Sequence, residues 1–240
     1  MNADNYLLYY DKMVAFVPSY ESYALRGFVK EVLGDAPSAS KDYEQALLFN
    51  KECFACGYNL GRQAFLRGQY QEAQRFLMMA LGVSLEQSLE DSFESMAYRE
   101  ILLASSHDIV ALQKSMILIR RQQRLQAWRM LAVSTCLGGN LQELEAAGRL
   151  WEQSDGTGRE PLFWSGIVSF ERADYQRTVE LLMLFTKDSG EDVLKAMALV
   201  YLQACHDRLA GREGQDPKVA LKAVLSILIK QYGQVAPAVF

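Results

Sequence analysis

Residues of the same type recur at a spacing of 34 in the first third of this chain. The recurring pairs are Gly27 and Gly61, Gly34 and Gly68, Ala39 and Ala73, and Ala46 and Ala80. A fixed period of roughly 20–50 residues is typical of a repeat architecture, in which one supersecondary unit is copied along the chain. Such a unit cannot bury its apolar face alone, so neighbouring units stack. The spacing therefore predicts an all-α fold, an α-solenoid of stacked helix-turn-helix hairpins.

The same register divides the whole chain, residues 1–240, into one solenoid. The predicted repeats are 20–53, 54–87, 92–124, 125–158 and 159–192, followed by a degenerate hairpin at 193–233 with a long polar loop. Residues 1–19 match only the second helix of a hairpin, which predicts a half repeat, an orphan helix, and a natural protein that extends further at its N-terminus. Cap-forming residues stand at several predicted helix starts: Ser19, Asn140, Asp174 and Asp216.

The second hairpin carries the most specific pattern. Its characteristic residues are Leu60, Gly61, Ala64, Gly68, Tyr70, Ala73, Leu77 and Ala80. This segment resembles the tetratricopeptide repeat (TPR) family, which places small and aromatic residues at these positions. Gly57 replaces the usual opening Trp, and Leu85 replaces the usual closing Pro. The resemblance is specific in residues 20–87 and weaker beyond them, and it implies a right-handed superhelix.

The resemblance also implies a binding groove. In TPR proteins the first helix of each hairpin lines a concave face. Carried onto this sequence, the residues of that face are Phe28, Val32, Tyr58, Arg62, Phe65, Leu66, Phe93, Met96, Arg129, Val133, Phe163, Ile167 and Phe170. Because most of them are apolar, we expect the groove to bind a peptide or an amphipathic helix of a partner protein. The alternative is that the chain's own terminal helices fill the groove.

Some TPR proteins bind a client's C-terminal carboxylate through one Lys and two Asn residues. Ala24 and Phe28 stand at the Lys and Asn positions of the first repeat, and only Asn59 matches an expected residue. One Asn cannot bind a carboxylate alone, so this mode of binding is excluded.

Composition limits the classes of partner and compartment. The 240 residues are half hydrophobic with a formal net charge of −4, which argues against nucleic-acid binding over the whole surface. Residues 1–20 contain no secretory signal, and no apolar run is long enough to cross a membrane. We therefore expect a cytoplasmic protein that contacts membranes only through a missing upstream anchor or a partner. Four scattered cysteines fit a reducing compartment.

Basic residues concentrate in one stretch. Arg120, Arg121 and Arg124 lie in a segment without acidic residues, and a basic patch here could meet nucleic acid, an anionic lipid surface or an acidic protein. The favoured interpretation is a solvated helix face balanced by the acidic cluster around Glu90.

The candidates for catalytic or metal chemistry are few. Cys53 and Cys56 form a CxxC pair, but no second CxxC or histidine pair completes a zinc site. The two histidines, His107 and His206, fall in different hairpins, and no phosphate loop or catalytic triad order is present. We therefore expect no enzyme activity, no cofactor and no metal.

These observations predict a non-catalytic scaffold or adaptor within a larger protein or multiprotein assembly, such as a secretion or envelope complex. The alternative is a self-association module that forms homo-oligomers through the orphan helix and the C-terminal helix.

Overall fold

The computed structural model describes residues 3–82, 109–155, 158–188, 192–233 and 237–238. Every regular element in these ranges is a helix, and none is a strand. The helices, numbered α1 to α11 in chain order, are Ala3–Phe16, Tyr20–Val32, Ala36–Phe49, Phe54–Leu66, Tyr70–Gly82, Ile109–Leu137, Leu141–Asp155, Glu160–Glu171, Tyr175–Asp188, Val193–Leu209 and Pro217–Gly233. The chain forms two compact units, Met1–Leu131 with Gly233–Phe240, and Ala132–Tyr232.

In the first unit, helices that follow each other along the chain pack against each other. Helix α1 packs on α2, α2 on α3, α3 on α4 and α4 on α5. The 34-residue period is visible in the helix starts, because α2 and α4 begin at Tyr20 and Phe54, and α3 and α5 begin at Ala36 and Tyr70. The predicted starts of the first two hairpins, at residues 20 and 54, coincide with these helix starts.

The second unit continues the sequential packing. Helix α7 packs on α8, α8 on α9 and α9 on α10, and α8 also contacts α10. Two matching caps stand 34 residues apart: Asn140 accepts a hydrogen bond from the Glu143 N–H, and Asp174 accepts one from the Arg177 N–H. Both caps were expected from the sequence, since Asn and Asp oxygens satisfy free N–H groups in the first turn of a helix. Within each unit, the helices α1 to α5 and α7 to α10 thus pack in chain order, which is compatible with an α-solenoid.

The turns inside the hairpins share one backbone conformation. Gly34 and Gly68 have φ angles of +89° and +73°, and Gly139 and Ala173, again 34 apart, have φ angles of +70° and +61°. In each turn the next residue donates its N–H to the carbonyl five positions earlier, which is the Schellman ending of a helix. Glycine favours this left-handed conformation because it has no Cβ. The repeat therefore recurs in the turn geometry of both units.

Glycines also set how closely paired helices approach. A Cβ on Gly27 would lie 2.9 Å from the Tyr43 ring, and one on Gly61 would lie 2.7 Å from Leu77 Cγ. Gly57 has a similar role, since a Cβ there would lie 3.1 Å from the backbone oxygen of Phe76. The close approach of α4 and α5 leaves no space at residue 57 for the Trp that TPR sequences usually carry there.

One predicted boundary is wrong. A turn was expected between residues 124 and 125, where two repeats were divided, but α6 runs without a break from Ile109 to Leu137. The reason is local, because the stretch contains no Gly or Pro and is rich in Arg, Gln, Leu and Ala, which favour helix. The earlier part of the third predicted repeat, from residue 92 to 108, lies outside the described residues, as does Leu85.

None of the helices in the described ranges combines the length and the apolar character that a bilayer-spanning helix needs.

Candidate functional site

The first unit contains a contact between the middle of the chain and its C-terminal end. The backbone N–H of Ala238 donates to Asn59 Oδ1 at 2.7 Å, and Asn59 Nδ2 donates to the Ala238 carbonyl oxygen at 3.1 Å. Asn59 and Ala238 are both fully buried. One side-chain amide thus satisfies both backbone groups of a single residue of a non-helical segment.

Asn59 is positioned by a helix that is buried along almost all of its length. Residues from Phe54 to Phe65 of α4 are buried. Gly57 and Gly61 face α5 closely, so the side chain of Asn59, between them in sequence, projects from a helix with little freedom to shift. In the preceding repeat the corresponding residue, 34 positions earlier, is the buried Leu25. The amide therefore distinguishes α4 from its structural counterpart α2.

The start of α4 is tied by two cysteines. Cys53 is the N-cap residue, its sulfur accepts the N–H of Cys56 at 3.3 Å, and the two residues are joined by a disulfide. Both are buried. The sequence suggested this CxxC pair only as an incomplete zinc site, and in the structure the two cysteines are bonded to each other.

A buried polar network joins α2, α3 and α4 beside Asn59. The Arg62 guanidinium forms an ion pair with the Glu31 carboxylate, and the Tyr43 hydroxyl donates to the other carboxylate oxygen at 2.8 Å. The side chains of Glu31 and Arg62 are only 6% and 8% exposed. Since buried charges are tolerated only when they are paired, these residues fix how α2 and α4 lie against each other.

Two tyrosines at this network have shifted acidity. Burial, followed by the nearby Glu31 carboxylate, raises the pKa of Tyr43 well above its usual value. Burial raises the pKa of Tyr58 to about 12. Both hydroxyls therefore stay protonated at neutral pH. Within the described part of the chain the buried Tyr58 hydroxyl has no hydrogen-bond partner.

The predicted basic patch is not a solvent-facing surface. Arg120 and Arg124 of α6 are 2% and 4% exposed, and their guanidinium carbons lie 4.8 and 6.0 Å from the centre of the Phe54 ring. Arg121, between them, is exposed. Both sequence interpretations, a binding patch and a solvated face, are therefore corrected for Arg120 and Arg124, whose charges pack over an aromatic ring.

The predicted groove residues of the first unit divide into buried and accessible ones. Tyr58, Arg62 and Phe65 are buried, whereas Val32 and Leu66 are 60% and 46% exposed. Phe28 and Arg129 are partly buried. Phe93 and Met96 lie outside the described residues. These side chains therefore do not form a continuous apolar surface open to solvent.

In the second unit the predicted groove residues are buried. Val133, Phe163, Ile167 and Phe170 are between 0% and 9% exposed. Phe163 contacts the Trp164 and Phe185 rings, and Phe170 contacts the Tyr175 and Tyr201 rings. Phe163 thus packs against α9, and Phe170 packs against α9 and α10. All four residues are buried, so the prediction that they line an open groove is corrected.

The two free cysteines and the two histidines are the other residues that could carry chemistry. Burial raises the pKa of the Cys136 and Cys205 thiols to about 11, so both remain protonated near neutral pH. His206 contacts Arg212, and His107 lies outside the described residues. In the described ranges no three His, Cys, Asp or Glu residues come together as a metal site would require.

A scan against protein-family models finds no match, and a search of curated proteins finds no significant match.

Sequence reasoning missed the main feature of this site. Asn59 was noted for its TPR position and set aside because one Asn cannot bind a carboxylate. The structure places it against a backbone peptide group instead. Residues 59 and 238 are 179 positions apart, so no local pattern could have paired them.

Proposed function

We propose that this chain is a TPR-like, non-catalytic scaffold that binds an extended segment of a partner protein at the face of α4 that carries Asn59. The observation that supports the proposal most strongly is the double hydrogen bond between the Asn59 amide and the backbone of Ala238. A side chain that binds both backbone groups of one residue recognises a strand-like peptide without requiring a particular sequence.

Rigidity of the supporting elements favours the same function. The network of Glu31, Tyr43 and Arg62 joins three helices beside Asn59, and the glycine contacts hold α4 against α5. When packed neighbours already hold a binding residue in place, that residue loses little conformational entropy as a ligand binds.

The resemblance to TPR sequences is the reason that we propose a helical-repeat scaffold that binds proteins. Matching helix starts, turns and caps recur every 34 residues, and TPR proteins use stacked hairpins of this length to bind other proteins. The proposal places this scaffold within a larger protein assembly, where the Asn59 face contacts one member.

The test is selection of peptides on the full chain. Random peptides of about a dozen residues, displayed on phage, are panned against the wild-type chain and against Asn59→Leu. We expect enriched peptides on the wild type and at least ~10-fold weaker capture of those peptides on the variant, because two buried hydrogen bonds are lost. Leu is tolerated in the fold, since Leu25 occupies the corresponding position of α2.

The matched control is Asn5→Leu, the same chemical change at an exposed position of α1. It should capture the selected peptides as the wild type does. Selection of no peptide both on the wild type and on Ala238→Pro, which lacks the N–H that Asn59 accepts, contradicts the proposed function. Equal capture by the wild type and Asn59→Leu contradicts it as well. Circular dichroism of each variant verifies that the helical content is unchanged.

A further inference from the structure

The residue that occupies the Asn59 site belongs to the chain itself. We propose that the segment that carries Pro237 and Ala238 is a built-in competitor for this site, and that the partner is an extended, uncharged peptide with an alanine-sized residue at the position of Ala238. This inference rests on the proposed function. It specifies the chemistry of the ligand and how access of the ligand to the site is regulated.

Burial of Ala238 limits the size of the residue that is recognised. The residue is 0% exposed although it lies in a non-helical segment near the end of the chain. A buried alanine in a close-packed environment leaves no space for a longer side chain, because overpacking is destabilising. The Asn59 contact itself uses only backbone atoms. Specificity at this position therefore comes from size, and affinity comes from the backbone hydrogen bonds.

The composition of the segment suits a backbone-bound ligand. Its residues, Gln-Val-Ala-Pro-Ala-Val-Phe, include no charged side chain. Pro237 restricts its own φ angle and biases the residue before it toward an extended conformation. A segment restricted in this way loses less conformational entropy when it binds. The sequence therefore favours docking of an extended strand.

Because the segment is covalently attached to the scaffold, it competes with free peptides as an internal ligand. An internal ligand competes at a high effective concentration, which is on the order of millimolar for short flexible connections. A free peptide of similar affinity would therefore be excluded until the tail is released. The intact chain is thus a partly closed form of the scaffold, and a partner must bind Asn59 better than Ala238 does.

The experiment releases the tail without removing it. Ala238→Pro in the full chain deletes the N–H that Asn59 Oδ1 accepts, whereas Ala238→Gly keeps it and serves as the matched control. The probe is a fluorescein-labelled synthetic peptide of residues 232–240, followed by fluorescence anisotropy. We expect Ala238→Pro to bind this peptide at least ~10-fold more tightly than the wild type does. The Ala238→Gly chain should behave like the wild type.

Two further probes test the chemistry of recognition. A peptide N-methylated at Ala238 lacks the donor, and a peptide with Ala238→Leu is too large, so both should bind the Ala238→Pro chain at least ~10-fold more weakly. Adding Asn59→Leu to the Ala238→Pro chain should abolish binding of the unmodified peptide. Equal binding by the wild-type and Ala238→Pro chains, or no binding by either, overturns the inference.

Analytical ultracentrifugation distinguishes the source of the tail. A wild-type dimer that Ala238→Pro dissociates would mean that the segment docks on a second copy, which overturns internal competition. If library peptides require Asn59 but the 232–240 peptide does not bind, the proposed function stands and this inference fails. If neither binds, both fail.

Discussion

Gly61→Val is expected to destabilise the first unit by at least ~3 kcal/mol, because a side chain at residue 61 has no space between α4 and α5. A Cβ there would lie 2.7 Å from Leu77 Cγ, 2.8 Å from Leu77 Cδ2 and 3.2 Å from the Leu77 backbone nitrogen. The backbone contact means that a rotamer change of Leu77 cannot relieve the strain. The urea midpoint, followed by circular dichroism, measures the loss.

The control for this prediction is Gly82→Val at the end of α5, where an added Cβ meets no atom within 4 Å. It should leave the midpoint nearly unchanged. A second variant tests the cause: in a Leu77→Ala background, part of the space for residue 61 is restored. The cost of Gly61→Val should therefore fall by about 1 kcal/mol or more. Equal costs in both backgrounds, or equal effects of the substitutions at 61 and 82, would show that helix proximity is not the reason.

Arg62→Met is expected to cost about 3–5 kcal/mol, since it leaves the buried Glu31 carboxylate without its guanidinium partner. Glu31 is on α2 and Arg62 on α4, and both side chains are less than 10% exposed. The hydrogen bond from Tyr43 remains, but a hydroxyl does not neutralise a charge. Chemical denaturation of the full chain measures the loss.

The double variant Glu31→Gln/Arg62→Met removes both charges. It should recover most of the stability that Arg62→Met loses, because no buried charge remains unpaired. Arg149→Met is the surface comparison: it breaks the pair with Glu145, in which the Arg149 side chain is 69% exposed, and should cost about 1 kcal/mol or less. A double variant as unstable as Arg62→Met alone would mean that lost packing, and not the unpaired charge, is responsible.

The period of 34 was the most reliable information in the sequence. It predicted the starts of α2 and α4, because small residues recur where helices contact each other. The caps at Asn140 and Asp174 were predicted separately, from polar residues at helix starts. The turn at Ala173 shows a limit of residue-by-residue matching. Its φ angle of +61° lies in the same left-handed region as those of the glycine turns although the residue is alanine, so the conformation is imposed by the hairpin.

The long helix α6 was not predicted, since the repeat register demanded a turn where the local sequence favours helix. The positions of Arg120 and Arg124 were also missed. Arginines that are close together in a sequence are usually exposed to solvent. Arg120 and Arg124 instead pack over the ring of Phe54, a residue that is far away in the sequence. Tertiary contact, and not helix periodicity, determined their burial.

The candidate site was predictable in part. The repeat pattern indicated α4 and its residues Tyr58, Asn59, Arg62 and Phe65 as part of a binding face. It predicted that Tyr58 and Phe65 would be exposed and would contact a partner. The structure buries Tyr58 and Phe65 and gives the polar Asn59 the central role. The C-terminal segment carries no repeat signal, so its contact with Asn59 follows only from the folded chain.

The most direct measurement is the hydrogen-exchange rate of the Ala238 backbone amide by NMR. Asn59 is proposed to bind a peptide backbone, and this amide donates to Asn59 Oδ1 at 2.7 Å in a fully buried position. We expect the amide to exchange far more slowly than in the free peptide of residues 232–240, and to reach the free-peptide rate in Asn59→Leu. Exchange at the free-peptide rate in the wild-type chain would contradict the account.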